Sequence, residues 1–421
     1  MTVTFDLQSK SSRLLLMGGT AVCLALISFS AAVLFGNSIA KGAEQIEVAE
    51  LAVRLSPNDP QAYFTYALLL ERSLLPGDLP RSQAMFEKAA ALAPNDYRYW
   101  VSLGKSRERN GNAEGGEAAL RRAERLAPEY AEVQWTLGNL LIRLNKTEEG
   151  FAAVRKAVKQ DKKYSGPAAS IALDIFEGDI ARVLKAVGDS SPVKVSLALY
   201  LAGQERFDES MKLWRSLPES EIAADYAEEG KKILSNLLEA KKFRAAIGLR
   251  RQLPGFGGSQ PSLGTVTNGG FEEEVSTTGS PPFDWTIAPG EQPVIAISVD
   301  HKHSGGKSLV VLYDGSARKE FREISQVIAV EAERPYKFEA LYRSELEASA
   351  TFRWEVADAG SGEVLGATEA FLSGSDWKAV SVEFTTIVDT EGVIVRLVRE
   401  MCVNTGCSIS GSFWLDDISL K

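Results

Sequence analysis

A proline-marked hexapeptide recurs three times in the first third of the chain: Arg54-Leu55-Ser56-Pro57-Asn58-Asp59, Ala91-Leu92-Ala93-Pro94-Asn95-Asp96 and Arg125-Leu126-Ala127-Pro128-Glu129-Tyr130. Its prolines lie 37 and 34 residues apart. Each proline follows an apolar-periodic stretch and ends a helix, because it lacks the N–H and clashes with the preceding turn. The Asn-Asp pairs that follow suit helix N-caps. A period of this length marks stacked supersecondary units, none of which can bury its apolar face alone. Small residues at Ala67, Gly104 and Gly138 let paired helices approach closely, and large ones fill the groove between neighbouring pairs.

The residues between the marks resemble tetratricopeptide repeats. Trp100, Leu103, Gly104, Ala123 and Pro128 stand at that family's spacing, and Leu137, Gly138 and Ala157 repeat it 34 residues on. The preceding unit has Tyr63, Ala67, Phe86, Ala89 and Pro94. Across 43–253 there are three clear units and two or three degenerate ones, with Leu197–Leu217 and Ala223–Leu253 still reading as helix pairs. The resemblance implies an α-helical solenoid with a groove for a protein partner. Glu44–Leu55 resembles the second helix of a repeat, with Ala49 and Ala52 at packing positions and no partner before it. It either caps the solenoid or continues the apolar segment upstream.

That upstream segment, Leu14 to Ala40, carries no charge. The 22 residues Leu14–Phe35 would span ~30 Å as one helix, enough for a bilayer core. Lys10 and Arg13 precede it and only Lys41 follows closely, which favours a cytoplasmic 1–13, an anchor at 14–40 and an extracytoplasmic or periplasmic body. Ser38-Ile39-Ala40 has the small-x-small form of a signal-peptidase site, but the apolar stretch is long for a cleaved leader.

Composition narrows the function classes. At ~100–200 residues per domain, 421 residues allow two to four domains. A net charge of −9 repels nucleic acid, so no nucleic-acid partner is expected. Three cysteines are too few for a disulfide scaffold or a four-cysteine zinc site, and two histidines limit imidazole chemistry. Gly306-Lys307-Ser308 ends like a phosphate loop, but His301 stands where the first glycine belongs. No nucleophile elbow or zinc-protease motif is present, so no catalytic residue is assigned.

The stretch 254–262, dense in Gly, Pro and Ser, reads as a linker, after which the hydrophobic period becomes two. Tyr336, Phe338, Ala340 and Tyr342 share a face, as do Phe352, Trp354 and Val356; Val380, Val382 and Phe384; and Val393, Val395 and Leu397. Roughly eight strands in 263–421 predict an antiparallel sandwich. The fold class is therefore multidomain α + β: an N-terminal transmembrane helix, a helical solenoid and a C-terminal β-sandwich.

Asn268-Gly269-Gly270-Phe271-Glu272, Trp285, Ser304-Gly305-Gly306-Lys307-Ser308-Leu309, Trp377 with Phe384, and Trp414-Leu415-Asp416-Asp417-Ile418 occur in the order seen in galactose-binding-like carbohydrate-binding modules, which this domain resembles. The resemblance implies a jelly roll whose first and last strands are tied by structural calcium, with Glu272 and Asp416 or Asp417 as ligands. It also places Trp285 and Trp377 in the framework. The outward faces of the four strands read above carry charge and no aromatic ring, so the glycan candidates are Trp285 and Tyr313 in loops, with Arg343, Arg353 and Arg396 for an anionic sugar. Cys402 and Cys407 flank a hairpin-like Asn404-Thr405-Gly406 and would close a disulfide in an oxidising compartment. The expected function is a non-enzymatic, membrane-anchored envelope protein that docks a protein and binds polysaccharide, in surface-polysaccharide assembly or export. A pure scaffold and a hydrolase with an unrecognised carboxylate pair are the alternatives.

Overall fold

In a computed structural model the described residues are 10–73, 75, 77–314, 321–348, 351–400 and 409–421. Cys402 and Cys407 lie outside them. The chain divides into two compact units, 1–193 and 194–421. The helix-to-strand change falls later, within the Gly- and Pro-rich stretch that begins near Pro254.

The first unit opens with α1 (Lys10–Gly42) and α2 (Ile46–Leu55). Antiparallel pairs follow: α3 (Pro60–Ser73) with α4 (Asp78–Leu92), α5 (Tyr97–Arg109) with α6 (Ala113–Leu126), α7 (Ala131–Arg143) with α8 (Thr147–Gln160), and α9 (Ser165–Ile175) with α10 (Ile180–Val187). α2, α4 and α6 each stop two residues before the marker prolines. The aspartates, not the asparagines, then cap the next helices. Asp59 accepts from the Gln61 N–H at 2.9 Å and Asp96 from the Arg98 N–H at 3.0 Å. The third marker has Tyr130 at the capping position, and α7 starts without a side-chain cap.

In two of these pairs, α5–α6 and α7–α8, the helices meet at glycine. A Cβ on Gly138 would stand 2.8 Å from the Gly150 carbonyl oxygen and 3.0 Å from the Val154 nitrogen. On Gly104 it would lie 2.6 Å from Leu120 Cγ. The partner positions Gly116 and Gly150 are as tightly opposed, so the close approach is two-sided. Buried Leu120, Ala123, Val133, Leu137 and Leu141 then form a core continuous from α6 into α7. α2 has a partner after all, the end of α1, and a break at 43–45 separates it from that helix.

The second unit begins with the less regular helices: α11 (Ser191–Gly203, whose first three residues precede the division), α12 (Phe207–Trp214), α13 (Glu219–Asp225), α14 (Ala227–Glu239) and α15 (Phe243–Arg250). Ten strands follow: β1 (Thr286–Ile287), β2 (Val294–Ser298), β3 (Ser308–Asp314), β4 (Ile324–Ala329), β5 (Pro335–Ala348), β6 (Phe352–Asp358), β7 (Val364–Ala367), β8 (Gly374–Thr385), β9 (Gly392–Arg399) and β10 (Ile409–Leu420). They form two five-stranded antiparallel sheets, β1-β4-β9-β6-β7 and β2-β3-β10-β5-β8. The alternating faces read from sequence are the inner faces: Phe338, Phe352, Trp354, Val356, Val393, Val395 and Leu397 are fully buried, as is Phe413 of β10.

The segment before β1 is irregular. Buried Gln326 of β4 acts on it as a neighbouring strand would, accepting from the Thr267 N–H at 3.0 Å and donating to the Thr267 carbonyl at 2.8 Å. α15 packs against the sandwich. Phe243 sits edge-on to Phe283 at 6.4 Å and against Gly392, where a Cβ would lie 2.7 Å from its ring. The Arg244 guanidinium bonds both Glu391 oxygens at 3.0 Å and holds that carboxyl below its usual range, against the effect of its burial. The last helix is therefore packed against the edge of the sandwich.

Replacing Gly138 by alanine should lower the stability of the first unit by about 1–3 kcal/mol, because backbone atoms cannot yield to the new methyl group. Gly42→Ala, in the same unit and with nothing within 4 Å, should leave it unchanged. Urea unfolding of the two variants checks this, and equal midpoints would refute the close-packing account.

Candidate functional site

The three carboxylates singled out in the sequence meet at one corner of the sandwich, facing the turn between β2 and β3. Asp416 is fully buried. Its Oδ2 accepts from the His303 and Ser304 N–H groups at 2.8 and 3.2 Å, and its Oδ1 from the Asp417 N–H at 2.7 Å. Burial pushes this carboxyl upward, and the three N–H bonds pull against it. The register of β10 shifts between Asp416 and Ser419, with Asp417 at a φ of +48°. Asp417 thereby reaches the His303 ring (Nδ1 to Oδ2, 2.6 Å) and the Ser304 hydroxyl (2.6 Å). Glu272 Oε1 accepts from the Gly306 and Lys307 N–H groups at 2.7 and 3.2 Å, while Lys307 Nζ donates to the Glu272 carbonyl at 2.7 Å.

Calcium takes six to eight oxygen ligands around one point. Here one turn's N–H groups, hydroxyl and imidazole engage the carboxylates instead. Among the described residues no group of three or more His, Cys, Asp or Glu side chains is placed to hold a metal. As arranged, the donors do not fit the ion that the resemblance implies, and hydrogen bonds tie the first segment to the last strand.

Beside this corner lies the outer face of the sheet β2-β3-β10-β5-β8. Phe413 and Leu415 point into the core, so Trp414 between them points outward. It is covered by the His301 ring, edge-on at 4.6 Å, and by the Arg343 guanidinium at 5.5 Å. Trp377 has the opposite parity to buried Val380 and Phe384 and is half-buried on the same outer face, with the His303 ring at 5.8 Å. Two readings are corrected here. The outward surface does carry aromatic rings, and Trp377 is not a core framework residue. The missed signal was parity within Phe413-Trp414-Leu415, masked by reading Trp-Leu-Asp-Asp as a single motif.

The other glycan candidates do not converge. Trp285 is 2 % exposed, donates to the Asn268 carbonyl at 3.1 Å, and packs between Phe271 and Trp354. Tyr313 is 5 % exposed beside Phe352, and burial pushes its hydroxyl far upward. Neither ring can stack on a sugar. Arg343 pairs with Glu345, Arg353 with Glu400 at 3.2 Å, and Arg396 with Glu355 through Nε at 2.9 Å. Arg353 and Arg396 belong to the other sheet, so the three arginines form no common site.

A cavity of about 390 Å³ opens beside Gly257, Gly258, Asn268, Glu273, Asp284 and Trp285. Asp284 Oδ1 is buried without a partner, and burial pushes this carboxyl up to about 6, with Arg250 opposing and Glu273 reinforcing the shift. Arg250 of α15 is 1 % exposed and makes no side-chain hydrogen bond; its guanidinium lies 4.0 Å over the Phe256 ring. Nothing in the Pro-Pro-Phe-Asp-Trp context of Asp284 signals this, because Arg250 comes from a different element.

In the first unit, α5 and α7 line a groove of about 630 Å³ with Lys105, Glu108, Arg109, Trp135, Asn139 and Arg143. Trp135 stacks on Tyr164 at 4.9 Å, and Lys105–Glu132 and Arg143–Glu108 pairs bridge the two helices at 3.0 and 2.6 Å.

A family model describing a carbohydrate binding domain matches residues 264–400. The helical half is similar to MamA from Desulfovibrio magneticus RS-1, at 19 % identity over 44 % of this chain and 96 % of that one, TM-score 0.32. It is also similar to YrrB, a TPR protein with an unusual peptide-binding site, at 14 % identity over 49 % and 91 %, TM-score 0.27. The C-terminal part is similar to TmCBM61 in complex with β-1,4-galactotriose, at 19 % identity over 37 % and 94 %, TM-score 0.27. No curated protein matches the chain.

Folded Asp284 keeps its proton up to about pH 6, whereas an unfolded aspartate loses it near pH 4. The folded state binds the proton more tightly, so stability falls as pH rises from about 4 to about 6, by on the order of 2 kcal/mol. Asp284→Asn should flatten that part of the profile and raise the urea midpoint near neutral pH; a profile identical to wild type would show the carboxylate to be solvated.

Proposed function

We propose that the chain is a non-enzymatic, membrane-anchored envelope protein that serves the assembly or export of a surface polysaccharide. Its repeat groove holds a protein segment, and its sandwich binds a glycan on the outer face that carries Trp377, Arg343 and Trp414. The observation that carries the reading is Trp377, a half-buried ring with the His303 ring at 5.8 Å, on the outer sheet face of a domain that matches a carbohydrate binding domain. The accessible part of the indole offers an apolar face to a sugar ring, and the neighbouring imidazole adds a polar edge for a hydroxyl. The groove between α5 and α7 supports the second partner, since stacked Trp135 and Tyr164 with bridging ion pairs suit an extended peptide. The long apolar helix at 13–42 supports the anchor.

One observation favours a second reading, a hydrolase. Asp284, raised to about 6, faces a cavity it shares with Glu273. Glu273 is engaged by the Ser259 N–H and hydroxyl at 2.8 Å, which leaves it poorly disposed as a base.

Detergent-solubilised full-length protein should be retained on an affinity gel of a surface polysaccharide, in calcium and in chelator alike. Trp377→Ala should weaken retention about tenfold, the value of one aromatic contact at a binding site. Binding to no polysaccharide on a broad array would leave the chain a protein scaffold. Release of oligosaccharides, abolished by Asp284→Asn, would establish the hydrolase.

A further inference from the structure

α1 is one unbroken helix in two different environments. Its most apolar stretch buries nothing against protein, and Leu14, Met17, Leu24, Ile27 and Phe29 are all more than half exposed. From Ala32 onward the same helix acquires a protein-facing stripe. Ala40 is fully buried with Ala52 of α2 and Ala62 of α3, and Ile39 and Val53 pack around them. Gly36 is buried at the crossing with the end of α2, where a Cβ would lie 3.0 Å from Leu55 Cβ and 3.1 Å from Ser56 Cβ. The Ser56 hydroxyl donates to the Val33 carbonyl at 2.9 Å. Val33, Gly36 and Ala40 recur at helical spacing, as a packing stripe requires. Glycine at the crossing of a pair is the device that α5–α6 and α7–α8 use at Gly104 and Gly138.

We infer that the last three turns of α1 are the first helix of the repeat stack, so that the bilayer anchor and the solenoid are one rigid element with no linker between them. This rests on the anchor reading above. Two consequences follow from geometry. Residues 14–31, about 27 Å of helix, remain free of protein contact, close to the ~30 Å hydrocarbon core, so the first repeat begins at the bilayer boundary. Cleavage after Ser38-Ile39-Ala40 would strip Val33, Gly36 and Ala40 from the stack and expose Ala52, Ala62 and the Ser56 hydroxyl. The apolar segment is therefore retained in the mature protein.

The test uses the full chain purified from membranes in detergent. Its intact mass should include the residues before Ala40; a mature N-terminus at Lys41 overturns the inference. Gly36→Ile should lower the melting temperature of the solenoid by about 4 °C or more. Gly18→Ile, at a position with nothing within 4 Å, should leave it unchanged. Should Gly36→Ile fail to accumulate, Ser56→Ala reads the same contact, with a smaller loss expected. Equal melting of wild type, Gly36→Ile and Ser56→Ala overturns the docking even in a chain that stays membrane-bound. Carbonate extraction separates the two claims. A chain released by carbonate sinks the anchor reading and with it the membrane half of the inference, whereas resistant Gly18→Ile and Gly36→Ile variants that differ in melting support both.

Discussion

The contact on which the two most regular helix pairs, α5–α6 and α7–α8, depend is the approach of two helix backbones where neither carries a side chain. Gly104 faces Gly116 and Gly138 faces Gly150, and a single methyl group at any of the four would meet backbone or branched side-chain atoms. Such an approach brings the flanking leucines and valines of both helices into one layer, and dispersion among many such atoms outweighs the small helix propensity lost at each glycine. A one-sided version at Gly36, against Leu55 and Ser56, draws the end of an exposed apolar helix into the stack.

In the sandwich the comparable constraint is Asp416. A carboxylate buried to this degree is strongly disfavoured unless its oxygens are hydrogen-bonded, and three backbone N–H groups supply those bonds. Two of the three, from His303 and Ser304, come from a turn more than a hundred residues away, so the carboxylate pins that turn to the last strand. His303 is held by Asp417 and His301 lies against Trp414, which places both imidazoles along the outer face that carries Trp377 and Arg343. The corner expected to hold an ion thus positions the aromatic face through hydrogen bonds.

Much of the architecture was legible because it is written in periods. Prolines at 37 and 34 residues located the helix ends, and alternation at Tyr336–Tyr342, Phe352–Val356 and Val393–Leu397 located inner sheet faces that are buried as read. The candidate site was legible only in part. Trp285 is the core residue that its framework position implies rather than the loop candidate, and Tyr313, read only as a loop candidate, is a core residue too, because neighbouring Phe271, Trp354 and Phe352 close over them. Trp414 was read as part of a motif, and its outward direction depended on noticing that Phe413 and Leu415 flank it. The three arginines were grouped by charge alone, and the sheets separate them.

By itself the sequence determined the two structural periods, the long uncharged helix and the residues facing each core, since these are local properties of a chain that must bury its apolar atoms. Tertiary structure alone decided that the apolar helix ends as the first member of the stack, that N–H groups answer the acidic corner, and that Arg250 lies buried near Asp284. Each of these depends on which distant segments meet, and hydrophobic patterning constrains how a segment turns its face far more tightly than which partner that face will find.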